Sequence, residues 1–170
     1  MRSVRRVSLV IVFSCLVYYI FINFNQRFDI IYQNKVIDSI LNYDISEYDG
    51  YIYIPRFNIR RLIKYGTDSS ILDRGYVGIY ELSGNLYSAD LIILAGHNIP
   101  NVFSKLHDIS IGDSVFLSGN FISRKFVVYD KKVIGDSDFS YFYNRSNELM
   151  LITCTDNDSY RLLVFLREVL

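Results

Sequence analysis

The sequence predicts a mostly-β domain, a sandwich or barrel, placed behind an N-terminal membrane helix. Three observations lead there. Short apolar runs recur from Gly50 onward, separated by turns rich in Gly, Asn, Asp and Ser. Helix-period patterns are scarce over the same region. Ahead of it, residues 7–24 carry no charge at all. At 170 residues, 51% hydrophobic and 16% aromatic, the chain suffices for one filled domain and a tail. Its 18 basic and 18 acidic residues leave no net field to attract nucleic acid.

Taken in order, Arg2, Arg5 and Arg6 precede the uncharged stretch, which is dominated by Val, Ile, Leu, Phe and Tyr. About 18 such residues approach the roughly 20 that span the hydrocarbon core, and the arginines favour a cytoplasmic N-terminus with the rest outside. A cleaved signal peptide is the rival reading. It is disfavoured because Asn23-Phe24-Asn25-Gln26-Arg27, not a small-residue cleavage pattern, follows the apolar run. Residues 1–24 are therefore assigned to the cytoplasmic end and anchor, and residues 25–49 to a stalk. Within the stalk Ile30, Ile31, Ile37, Ile40 and Leu41 recur at roughly helical spacing, with a disordered spacer as the alternative. Ser, Glu, Asp and Gly cluster over residues 44–50 and end it, so the domain spans residues 50–170.

The alternation in Gly50-Tyr51-Ile52-Tyr53-Ile54-Pro55 reads as a strand stopped by proline. Further strands are expected at residues 76–82, 91–95, 114–117, 125–134, 149–154 and 162–169. One short helix is expected at residues 100–106, where Pro100 suits a first turn and Val102, Phe103 and Leu106 share a face.

Chemistry concentrates at the strand ends. Residues 149–154 form an apolar run that stops on Cys154, and a polar turn then leads to Arg161 at the head of the next strand. A short connection between adjacent strands brings a guanidinium towards a thiol. The second cysteine, Cys15, lies in the membrane segment, so both thiols are expected unpaired. A cysteine nucleophile needs a proton acceptor. His97 ends the apolar strand Leu91-Ile92-Ile93-Leu94-Ala95-Gly96 in a small-residue turn, whereas His107 sits in a polar setting near the end of the short helix. His97 is thus the preferred partner. Imidazole can move protons, thiolate can attack a carbonyl and arginine can hold developing oxyanion charge. Residue by residue the plainer alternatives stay open: an inert packed thiol, a backbone-bonded histidine and a solvated arginine.

These residues also resemble a known family. Met150-Leu151-Ile152-Thr153-Cys154 is similar to the Thr-Leu-x-Thr-Cys motif of the sortases, cysteine transpeptidases of Gram-positive surfaces. Gly96-His97 matches the strand-end Gly-His, and Arg161-Leu162-Leu163-Val164 the downstream arginine strand. The opening strand Tyr51-Ile52-Tyr53-Ile54-Pro55, the Phe103-Ser104-Lys105-Leu106 segment and Ile111-Gly112-Asp113-Ser114-Val115 are also similar to the family pattern. Met150 stands where the family has threonine, the loop from Cys154 to Arg161 is short, and Asn98 replaces an arginine found in several subgroups. These features resemble class B, C or D types.

The resemblance implies an eight-stranded β-barrel with short helices and a thioacyl mechanism. Cys154 would attack the threonine carbonyl of a Leu-Pro-x-Thr-Gly-like sorting signal on a surface protein. His97 would shuttle the proton, and Arg161 would stabilise the oxyanion or hold the substrate backbone. Thr153 and Asn98 would contact substrate. The acceptor would be an amine of a peptidoglycan precursor or a pilin lysine.

Two other readings compete with this one. A papain-like hydrolase is disfavoured because His97 precedes Cys154 in strand-rich context. A non-catalytic, membrane-anchored β-domain for envelope interactions is the other, and Met150 is its only motif support. No cofactor is expected, since Asp156 and Asp158 fall well short of the six to eight oxygens that calcium takes. Asn144-Arg145-Ser146 reads as a surface turn. Phe139, Tyr141, Phe142 and Tyr143 are candidate groove walls, and loops at residues 66–75 and 131–147 are where specificity is expected.

Overall fold

Eight strands close into a barrel in the computed structural model, which describes residues 2–40, 48–119, 122–138, 140–142, 145–156 and 159–169. A helix, α1 (Arg2–Ile40), precedes β1 (Gly50–Ile54) and β2 (Ile59–Tyr65). A four-residue helix, α2 (Ser69–Leu72), leads to β3 (Val77–Ile79) and β4 (Ile92–Ala95). Then come a 3-10 turn at Ser104–Asp108, β5 (Ser114–Gly119), β6 (Ile122–Gly135), a 3-10 turn at Ser140–Phe142, β7 (Glu148–Cys154) and β8 (Tyr160–Val169). Around the barrel the order is β1-β2-β3-β4-β7-β8-β6-β5, and β5 pairs back onto β1. Closure removes the open edges on which a sheet of this apolarity would aggregate.

Period-two alternation divides the strand residues between two apolar clusters. Ile52, Ile54, Ile92, Leu94, Leu149, Leu151, Leu162, Val164 and Leu166 belong to the interior, together with Phe103 and Leu106 from the β4–β5 connection. Leu91, Ile93, Ile134, Met150, Leu163 and Phe165 form a second cluster on the outer face, with Tyr80, Tyr129, Tyr141, Phe142 and Ile152 packed against it. Tyr80 and Phe142 meet edge to face at 5.7 Å. The outer face of β4, β7 and β8 is thus apolar as well.

The C-terminal part of α1 packs on β2. Ile37 is buried with Leu62 and Tyr76, and Gln33 is fully buried. α1 runs unbroken past residue 24 to Ile40, so the segments expected to be anchor and stalk lie on one helix. The expected end of the stalk, residues 44–47, lies outside the described residues. Among the described residues no helix is long and apolar enough to cross a membrane. Ile11, Val12, Phe13, Leu16 and Phe21 of α1 are exposed.

Two local expectations need correction. β2 is absent from the expected strands because Arg60 and Arg61 interrupt its apolar pattern, yet Arg61 is buried in the barrel wall. The expected helix at residues 100–106 is instead a turn followed by the 3-10 segment Ser104–Asp108. Asn101 adopts a left-handed conformation with φ 64°, which ends any helix begun at Pro100.

Candidate active site

Strand register brings the candidate residues together. β4 and β7 are parallel with Ala95 beside Ile152, and the pairing continues as Gly96 N–H donates to the Ile152 carbonyl at 3.0 Å. Advancing both strands two residues from Ala95 and Ile152 leads to His97 and Cys154. On the other side, antiparallel β8 sets Arg161 directly opposite Cys154. Adjacent strands lie about 4.8 Å apart, so the three residues occupy one end of three neighbouring strands.

Alternation also selects the face. Met150 and Ile152 belong to the outer cluster, Leu149 and Leu151 to the interior, so Cys154 continues the outer series and Thr153 the inner one. Leu163 and Phe165 place Arg161 on the outer side by the same count. Cys154 is a half-buried free thiol.

Gly96 is the residue that lets His97 sit there. A Cβ at Gly96 would come within 2.7 Å of Phe103 Cδ2, and Phe103 is fully buried. The Phe103 amide donates to the His97 carbonyl at 3.2 Å, fixing the backbone after the strand end. The imidazole is partly exposed, and its Nε2 lies 2.8 Å from Asp73 Oδ1. A carboxylate only accepts, so Nε2 carries the proton in this pair.

Arg161 is partly buried, and its Nη1 donates to the Tyr160 carbonyl at 3.2 Å. The β7–β8 connection is tied by Thr155 N–H to the Tyr160 carbonyl at 3.1 Å. Asn157 and Asp158 within it lie outside the described residues. Among the described residues no group of three His, Cys, Asp or Glu side chains is arranged to hold a metal.

The remaining expected residues fall as follows. Thr153 is turned inward and buried, and its Oγ1 has no hydrogen-bond partner among the described residues. Its side chain therefore does not reach the outer face that carries Cys154. Asn98 is half-buried in the turn after His97. His107 is exposed on the 3-10 segment, where its carbonyl accepts from Lys131 Nζ at 3.1 Å. Met150 is fully buried between Ile93 and Phe165 on the neighbouring strands, a packing position. Tyr141 and Phe142 cover the outer cluster, while Phe139, Tyr143 and Asn144 lie outside the described residues.

Sequence reasoning missed Asp73. The one local signal was Asp68 ahead of Ser69-Ser70, an N-cap pattern that α2 uses, with Asp68 accepting from Ser70 N–H at 2.7 Å. Nothing in the sequence linked that short helix to His97.

Comparison with known proteins agrees with this architecture. A family model described as Sortase domain matches residues 52–169. No curated protein matches the chain. Among solved structures, sortase C1 of Streptococcus agalactiae is 27% identical, covering 76% of this chain and 72% of that one, with TM-score 0.67. Sortase C of Streptococcus pneumoniae is 24% identical, with coverage of 75% and 71% and TM-score 0.69. A pilus-related sortase C of Group B Streptococcus is 24% identical, with coverage of 75% and 70% and TM-score 0.69. With the family matched over most of its length and the fold shared, the chain belongs to the sortase family of cysteine transpeptidases.

Proposed function

We propose that this sortase cleaves a Leu-Pro-x-Thr-Gly-like sorting signal and joins the substrate protein to an amine, with Cys154, His97 and Arg161 as its catalytic residues. The observation that carries the reading is the register that sets these three at one end of β4, β7 and β8. The Cys154 thiolate attacks the threonine carbonyl, and Arg161 holds the negative charge that develops on its oxygen. As the Thr–Gly bond breaks, protonated His97 gives its proton to the departing amine. The acceptor amine then attacks the thioacyl carbon, returns a proton to His97 and releases the Cys154 thiolate. Thr153 contributes through its backbone, since its side chain faces inward. Asn98 borders the site from the turn after His97.

Two of the similar structures are described by pilus or pilin roles, which favours a pilin lysine over a peptidoglycan precursor as the acceptor. Residues 7–24 anchor the chain, with the N-terminus cytoplasmic and the barrel outside.

The test uses the full chain in detergent micelles, a panel of sorting-signal peptides and an amine acceptor, read by mass spectrometry. Wild type should show a thioacyl adduct on Cys154 and an amine-ligated product, and Cys154→Ala should show neither. A folded wild type that forms no adduct with any peptide would favour a non-catalytic envelope domain.

A further inference from the structure

We propose that Asp73 is a positioning residue for His97, and that α1 holds it in place through Gln33. The inference rests on the reading of His97 as the proton carrier. With Nε2 donating to Asp73 Oδ1 at 2.8 Å, Nδ1 is the nitrogen left to give a proton to the departing amine and to take one back from the acceptor. Asp73 thereby selects the tautomer and restrains the ring.

Asp73 is itself fixed from below. It closes α2, with its amide donating to the Ser69 carbonyl at 3.0 Å. The next carbonyl, that of Arg74, accepts from Gln33 Nε2 at 2.9 Å. Gln33 Oε1 in turn accepts from Leu62 N–H of β2 at 3.3 Å, so one fully buried amide joins α1, β2 and the end of α2. Gly75 then turns the chain towards β3 with φ 73°, a left-handed conformation that suits glycine. The contacts run without a gap from α1 through Arg74 and Asp73 to His97.

The pair is partly exposed, with side-chain exposures of 38% for His97 and 67% for Asp73, so its effect is modest. In the full chain in detergent, Asp73→Ala should slow Cys154 acylation at saturating peptide by about two- to fivefold, the equivalent of an exposed pair. Peptide affinity should stay within about twofold, since Asp73 acts on the proton carrier and not on binding. Asp73→Glu should recover most of the rate. Gln33→Ala should slow acylation in the same direction while the chain stays folded by thermal unfolding. Ring 15N shifts of His97 should show a larger Nδ1–H population in Asp73→Ala than in wild type. His97→Ala separates the two claims. If it acylates normally, the role of His97 falls and this proposal with it. If it is inactive while Asp73→Ala keeps the wild-type rate and tautomer, the positioning role alone is overturned.

Discussion

Arg61 shows how one residue can oppose the fold that contains it. It is 2% exposed, and its Nη1 donates to Asn34 Oδ1 at 3.3 Å and to the Arg60 carbonyl, both neutral acceptors. Its Nε has no partner among the described residues. Burial pushes the guanidinium down to about 10, so it remains charged at neutral pH. For a base, a folded pKa below the unfolded one means that charge disfavours folding. The cost is full below about pH 10 and fades as pH rises from there into the ordinary guanidinium range. Arg61→Met should therefore stabilise the chain at pH 7 by about 1–3 kcal/mol, with the gain shrinking above pH 10. Thermal unfolding at neutral and at strongly alkaline pH checks it, and a lower melting temperature for the variant at neutral pH would count against the argument.

At the level of elements, the strands that were legible are those whose apolar residues alternate or run together, such as residues 91–95 and 149–154. β2 was not, because a buried arginine inside a strand looks like a solvated one in sequence. α2 was too short to give a period. The sequence located Cys154, His97 and Arg161 at strand ends, but their shared edge depends on the β4–β7 parallel pairing, a non-local feature. Asp73 was invisible for the same reason. Side-chain clamps between elements were equally hidden. Arg124 of β6 donates through Nε and Nη2 to both oxygens of Glu168 on β8, at 2.7 and 2.6 Å. Its Nη1 reaches the Leu86 and Ser88 carbonyls at 3.1 and 2.9 Å, tying the β3–β4 connection to the barrel. Hydrogen bonding from Arg124 holds the Glu168 carboxyl below the usual range. A lowered acid contributes stability above its unfolded pKa and loses it as pH falls through the folded one. Glu168→Gln should cost on the order of 1 kcal/mol at neutral pH, and the difference should vanish in acid below the folded pKa. Urea unfolding across that range reads both, and a difference that persists in acid would assign the effect to packing.

For the whole molecule, the proposed anchor makes α1 a link between two solvents. Residues 7–24 are apolar and uncharged, while Gln33 and Ile37 are buried against the barrel. From Phe24 to Gln33 the helix rises only about 14 Å, so an inserted α1 would hold the barrel close to the bilayer. Charge at the middle of that stretch should be the sensitive variable, because an arginine at the bilayer centre costs about 2.5–3.5 kcal/mol for insertion. Leu16→Arg should release a substantial part of the chain from membranes in an alkaline carbonate wash, while wild type stays in the pellet. Cys154 in the released variant should keep its reactivity towards an alkylating agent, since Leu16 is exposed and far along α1 from the packed segment. A wild-type chain that washes off as readily as the variant would remove the anchor and leave α1 only its buttressing contact with β2.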